Sequence, residues 1–318
     1  MRSPTLPLLL LALLLAPACA LEEAEAEADD LELRTTAGSG GGSGGGPVFN
    51  THVVEDLHFS ELVPPEDASM GVALLGVELE DGRDAAVAVD DEGELVAEVG
   101  DEHLSGAALI GSTWWIGSTF WLPKTPLRIL DAMKVDGVTR YAFAHPRDGE
   151  WTANCPGKEL EYVRVLRGIA LQEGSGDLSA APSRLFLSCP RGAVGKAASW
   201  GYYDLAEALD DLDVFETAIR VVRADYCYDG VAHTAEGVEL LVEDRWGIRG
   251  PVPGDWPLEA VWGADGLLCA GTPRHQLGAI TCGAPIPACV DGVDPFKKYP
   301  GARFVSRVLF LSASDPQT

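Results

Sequence analysis

His233 stands among carboxylates and arginines: Asp225 and Asp229 precede it, Asp244 and Arg245 follow it, and Arg223 heads the segment. A histidine oriented by a carboxylate is the usual general-base arrangement, and either arginine can hold an anion beside it. Two pairings give that geometry, His233 with Asp225 and His233 with Asp244. The nucleophile is missing: Ser199 and Thr234 lie in the region, but on no recognisable elbow. The spacing also invites a metal. Asp225, Asp229 and His233 fall at intervals that share one face of a continuous helix, yet Asp229-Gly230 is a turn pair that breaks the helix. No metal and no cofactor is expected.

The same residues have an architectural reading, and it is the stronger one. An aspartate just after a helix, followed by Tyr226, Cys227 and an Asp-Gly turn, caps backbone groups and pairs with Arg223. It thereby staples the helix to a strand. Asp244-Arg245 becomes an internal ion pair and His233 a hydrogen-bonded wall of the core. The remaining histidines are weaker candidates. His52 and His58 lie early, His103 at a turn, His145 before a proline and His275 beside Arg274, none at metal-ligand spacing from another. Trp114-Trp115 with Trp121 forms a second candidate surface, because an exposed aromatic cluster stacks on sugar rings or anchors a partner. Large aromatics are more often core, which is the expectation here. Despite the acidity, no EF-hand or Asp-rich calcium loop is present.

The elements that must position these groups are mostly strands. Val72 to Leu79, Ala85 to Val89, Leu95 to Val99, Leu104 to Ile110, Leu127 to Leu130, Thr139 to Ala144, Tyr162 to Ala170 and Leu185 to Ser188 are β-branched or alternating runs between turn residues. One helix is well specified. Phe215, Ala218, Ile219 and Val222 recur at helical spacing, Asp213 is placed to cap the start, and Glu216 sits three residues on as in a capping box. Glu216 and Arg220 read as an i, i+4 pair on its exposed side. A shorter helix runs from Tyr203 to Leu209, and Val238 to Glu243 returns as a strand. With 36 Gly and 21 Pro, the pattern predicts a β-dominated α+β fold of turn-rich antiparallel sheets with one or two helices. Residues 48–318 form the globular part, as one domain or as two packed subdomains of about 48–190 and 191–318.

Six cysteines follow Cys19: Cys155, Cys189, Cys227, Cys269, Cys282 and Cys289. An even number in an exported chain predicts three disulfides. The simplest scheme closes Cys282–Cys289 around a proline-rich loop and joins Cys155–Cys189, leaving Cys227–Cys269. The absence of a CxxC pair argues against a zinc knuckle or a thioredoxin-type site.

Export is written in residues 1–20: Arg2, an apolar run from Leu8 to Ala16, and the small residues Ala16-Pro17-Ala18-Cys19-Ala20. Two processing outcomes follow. Cleavage after Ala18 or Ala20 releases a secreted protein, whereas Leu15 to Cys19 read as a degenerate lipobox makes Cys19 an acylated first residue. Residues 21–47 are a tether, an acidic run followed by a Gly/Ser coil from Gly38 to Gly46. Those glycines match the GxSxG and GxGxxG patterns without the strand and helix that give either pattern meaning. A net charge of −26 repels nucleic acid, which is excluded as a partner, and confines membrane contact to an N-terminal lipid.

The string Ala224-Asp225-Tyr226-Cys227 does not stand alone. Trp200-Gly201-Tyr202 precedes it, and Asp244-Arg245-Trp246-Gly247-Ile248 and Trp262-Gly263-Ala264-Asp265-Gly266 follow it. In this order the motifs resemble the bacterial ADYC-domain proteins. The resemblance runs from about Val48 to the end, with Phe49-Asn50-Thr51, Phe59-Ser60-Glu61-Leu62 and Gly71 to Val77 as its opening. It implies that Ala197 and Ala218 stand where relatives carry cysteines, so that the two should lie close together. It brings no established activity. The expectation is an exported, envelope-associated structural or binding module with a protein or glycan partner, its oligomeric state left open. The alternative is a secreted hydrolase using His233 with Asp225 or Asp244.

Overall fold

The computed structural model describes residues 48–49 and 61–309, apart from 120–122, 148, 156–160, 173–174, 235–238, 252–255, 275–279, 281 and 291. The export segment with Cys19, the tether, His52, His58, Trp121 and His275 lie outside these residues.

The first strand, β1 (Val48–Phe49), joins a small sheet whose other strands come from the far end of the chain. Next, β2 (Glu61–Val63) and β3 (Val72–Glu78) start the large sheet as a short parallel pair. An antiparallel meander of β4 (Asp84–Val89), β5 (Leu95–Val99) and β6 (Glu102–Ser105) branches from β3. The large sheet continues with β7 (Thr113–Gly117), β8 (Thr125–Val135), β9 (Val138–Arg147), β10 (Glu150–Ala153), β11 (Arg164–Leu171) and β12 (Leu178–Ser188). Its spatial order is β10-β9-β8-β7-β3-β2-β12-β11. Between β8 and β9 the chain turns on Asp136-Gly137, both at positive φ (52° and 89°), the backbone a tight two-residue hairpin requires.

Three helices follow: α1 (Ala193–Ser199), α2 (Tyr202–Leu209) and α3 (Leu212–Arg223). The small sheet then closes in the order β1-β13-β16-β14-β15, from β13 (Glu239–Asp244), β14 (Leu258–Trp262), β15 (Leu267–Ala270) and β16 (Phe304–Leu309). A one-turn helix, α4 (Pro295–Lys298), precedes β16 and is capped by the Asp294 side chain. The fold is thus β-dominated and, apart from the β2–β3 pair, antiparallel, as the sequence predicts, with two helices (α1 and α4) that the pattern does not reveal. Among the described residues no helix is long and apolar enough to cross a membrane.

Helices α1 to α3 form a layer between the two sheets. One core joins Val214, Phe215, Ile219 and Val222 of α3 to Leu166 and Phe186 of the large sheet and to Val242, Trp262 and Phe304 of the small one. A second core lies on the other face of the large sheet, where Val163, Val165 and Leu187 meet Ile116, Leu127, Ile129 and Phe143. Strand β11 therefore feeds both cores. Val165 faces one and Leu166 the other, as strand alternation requires. A register shift between Arg167 and Gly168 then reverses the alternation, so that Ile169 rejoins Leu166 on the helix side. Each large apolar side chain fully buried in these cores contributes about 1.5–3 kcal/mol.

Several local expectations are corrected. The strand expected over 104–110 ends at Ser105, and Gly106 at φ 57° starts a 3-10 turn that buries Leu109. Helix α3 begins at Leu212, so Asp213 lies inside it. Its N-cap, Asp211, makes no side-chain cap bond, and Glu216 reaches instead to the amide of Leu178 at 2.7 Å. Trp114 is core, edge-on to Phe143, whereas Trp115 lies partly exposed beneath the Lys124 ammonium.

Among the described residues three disulfides form, in keeping with an oxidising, exported environment. Cys155–Cys189 is as expected, but the other two pair as Cys227–Cys282 and Cys269–Cys289. The proline-rich loop does not close on itself. Its second half runs beside β15, with hydrogen bonds from Ala270 to Pro287 and from Cys289 to Ala270, which delivers Cys289 to Cys269. Ala197 on α1 and Ala218 on α3 are both fully buried in the common core.

Candidate functional site

Helix α3 ends where the Ala-Asp-Tyr-Cys string begins. Ala224 adopts a left-handed conformation (φ 54°) and, with Asp225, returns its amide to the last turn of the helix. The turn swings Asp225 back beneath the helix, where it is fully buried and meets Arg220 at 2.6 Å. Arg220 is itself buried. Its guanidinium also binds Glu216 at 2.9 Å, pairs with Asp177 and lies 4.7 Å from the centre of the Tyr228 ring. The expected Glu216–Arg220 pair is real but lies inside the protein rather than on an exposed face. The expected partner Arg223 is replaced by Arg220, and Arg223 donates instead to the Gly230 carbonyl.

The second oxygen of Asp225 accepts the Asp229 amide at 3.2 Å, and the first also takes the Gly230 amide at 3.0 Å. Burial pushes the Asp225 carboxyl up, opposed by Arg220 and by these amides. For Arg220 burial acts to lower the pKa, but its carboxylate partners outweigh it and the guanidinium is raised. Asp229 is exposed and holds the turn by accepting the Val231 amide at 3.0 Å.

Tyr226 points the other way. Its ring stacks on Trp262 (centroids 5.6 Å apart, 20° between planes), and its hydroxyl donates to Glu259 at 2.5 Å. Arg274 completes the group with a bidentate grip on Glu259, at 2.5 and 2.8 Å. The same guanidinium donates to the carbonyls of Val221 and Val222 at 2.8 and 3.0 Å, capping the C-terminus of α3. Tyr226, Glu259 and Arg274 are all buried. Burial, then Glu259, raises the Tyr226 phenol, so it stays protonated and donating. Sequence reasoning missed Glu259 and Arg274. The one signal was a lone carboxylate inside the apolar run Leu258-Glu259-Ala260-Val261-Trp262, the mark of a buried charge whose partner lies elsewhere.

His233 is half-buried on the far side of Tyr226, ring centroids 5.7 Å apart, and its amide donates to the Arg223 carbonyl at 3.0 Å. Asp244 belongs to a different construction. One of its oxygens accepts the amides of Trp246 and Ile248 at 2.8 and 3.2 Å. The other accepts the Arg249 amide at 2.6 Å and the Tyr202 hydroxyl at 2.9 Å. Asp244 thus folds its own loop and ties it to α2. The expected Asp244–Arg245 ion pair is not formed. Arg245 is exposed, and Arg249 turns its guanidinium onto Trp200 at 4.8 Å.

The candidates therefore separate into two structural clusters, with His233 beside the first. A groove of about 420 Å³ next to β13 is lined by Glu243, Asp244, Asp294, Phe296 and Arg307 among others, and includes neither His233 nor Asp225. Among the described residues no group of three or more His, Cys, Asp or Glu is placed to hold a metal ion.

A helix layer between two β-sheets, with the end of α3 fixed by two buried ion-pair clusters and the Cys227–Cys282 disulfide, defines the class of protein. Comparison with known families matches the ADYC domain to residues 106–276, more than half of the chain, and the chain belongs to that family. The match starts at Gly106, so the three opening motifs of the wider resemblance fall outside it. No curated protein and no solved structure matches.

Proposed function

We propose that this protein is a non-catalytic structural or binding module, exported and held at the cell envelope, with a protein or glycan as its partner. One observation carries the reading. Asp225 and Asp244, the two carboxylates that would orient a general-base His233, both commit their oxygens to other donors. A base needs a carboxylate free to steady its imidazolium. The signature is instead occupied in closing α3 against the small sheet. The sequence supplies an attachment in Cys19 and a reach in the Gly/Ser run that follows.

The test is turnover. The mature chain, incubated with ester, peptide, phosphoester and glycoside substrates, is expected to release no product above buffer. Product formation that disappears in His233→Ala, with the circular dichroism of the variant unchanged, would establish the hydrolase instead.

A further inference from the structure

Strands β7 to β10 turn one face to the core through Trp114, Leu127, Ile129, Tyr141 and Phe143. Register places Arg128 opposite Thr113 and Ala144, Arg140 opposite Met133, and Trp151 opposite Pro146 on the other face. That outer face is rich in cations and rings. Lys124 lies 4.4 Å from the Trp115 ring centre and Arg128 5.9 Å from that of Trp151, which is 43% exposed. On this face the Asp131 carboxylate takes the Tyr162 hydroxyl at 2.6 Å and the Ala132 amide at 2.9 Å.

Arg140 is the residue that asks for a partner. The antiparallel bridge between Tyr141 and Val163 sets Arg140 beside Arg164 of β11. Like charges across neighbouring strands repel. The Arg164 guanidinium pairs with Asp204, and the Nε atoms of both arginines are buried with no hydrogen-bond partner. Burial and Arg164 both lower the Arg140 pKa, with Asp136 opposing them. A half-buried cation kept beside another cation is unfavourable, and Asp136 offsets only part of that cost, so an anion from outside would be welcome.

We propose that this face binds an acidic polysaccharide, with Arg140 and Arg128 taking its anionic groups and Trp151 and Trp115 its sugar rings. The proposal rests on the reading of the protein as a binding module and names its partner's chemistry. Two features select this occupant. The face gathers Lys124, Arg128 and Arg140 on a chain of net charge −26, so an anionic partner suits it, but a densely charged polymer is repelled by the remainder of the molecule. The indoles lie on a sheet surface floored by the small side chains of Ala142 and Ala144, which suits broad rings better than an extended peptide that needs pockets for alternate side chains.

The experiment is affinity electrophoresis of the full mature chain through gels containing hyaluronan (a carboxylate on alternate sugars), neutral dextran or poly-L-glutamate. Retardation is expected in hyaluronan alone and is weakened by salt. Arg140→Gln, Arg128→Gln and Trp151→Ala are each expected to weaken it by about tenfold. Thermal unfolding of the three variants selects those that remain folded for comparison. Passage through hyaluronan without retardation, equal retardation by poly-L-glutamate, or wild-type behaviour of the folded variants overturns the proposal and leaves the module reading intact. Cleavage of hyaluronan by the protein contradicts the module reading instead.

Discussion

Two arginines hold the end of α3 from opposite sides. Arg220 gathers Glu216, Asp177 and Asp225, and Arg274 grips Glu259 while capping the helix carbonyls. Ion pairs this deep gain little over an apolar substitute, because desolvation offsets the Coulomb term, but removing one member strands a buried charge. Lys196 on α1 is the buried cation with the clearest signature in pH. Burial, then Arg274 and Arg191, lowers its ammonium to about 8 from an ordinary 10.5. Between those values the unfolded chain holds more protons than the folded one, so folding stability rises with pH in that window. The buried tyrosines, whose pKa values are raised, act oppositely near pH 10 and above. Urea unfolding is therefore expected to show a gain of about 1–2 kcal/mol between pH 8 and pH 9.5, absent in Lys196→Met. An equal gain in the variant would show that another group titrates.

The helices differ in how much of themselves they disclose. Helix α3 is legible because Phe215, Ala218, Ile219 and Val222 repeat at helical spacing, yet its polar face is misread. Arg220 and Glu216 look solvent-directed in sequence and are enclosed because β12 and the segment after β11 cover that side. Helix α1 is hidden for the opposite reason. Six of its seven residues, from Ala193 to Ala198, are buried, so no amphipathic stripe marks it. It packs so closely that a Cβ on Gly195 would lie 1.9 Å from the Cys189 carbonyl oxygen. Gly195→Ala is expected to cost about 2–4 kcal/mol, read as a fall in the midpoint of thermal unfolding. Gly283→Ala has open space around it and should change stability by less than about 0.5 kcal/mol. Equal behaviour of the two variants would contradict the packing described. The strands are legible through alternation, and β8 and β9 exceed their apolar centres because hairpin pairing extends them.

Across the whole molecule, composition and cysteine number point correctly to a β-dominated, disulfide-stapled protein, while the pairing of the cysteines depends on contacts far apart in sequence. Cys227 pairs with Cys282, 55 residues on, and Arg274, a residue with no local signal, ties the chain before that cysteine to Tyr226 and the end of α3. The candidate site was legible as a cluster of residue types but not as a geometry. Asp225 and Asp244 fall near His233 in sequence, and each folds into its own network. The central claim is that the Ala-Asp-Tyr-Cys string is a keystone rather than a catalyst, and urea unfolding of Asp225→Ala beside His233→Ala tests it most directly. Losing Asp225 leaves Arg220 short of its buried partner and is expected to cost about 3–5 kcal/mol. His233→Ala should stay within about 1 kcal/mol of the unmodified protein. Near-native stability of Asp225→Ala would contradict the account.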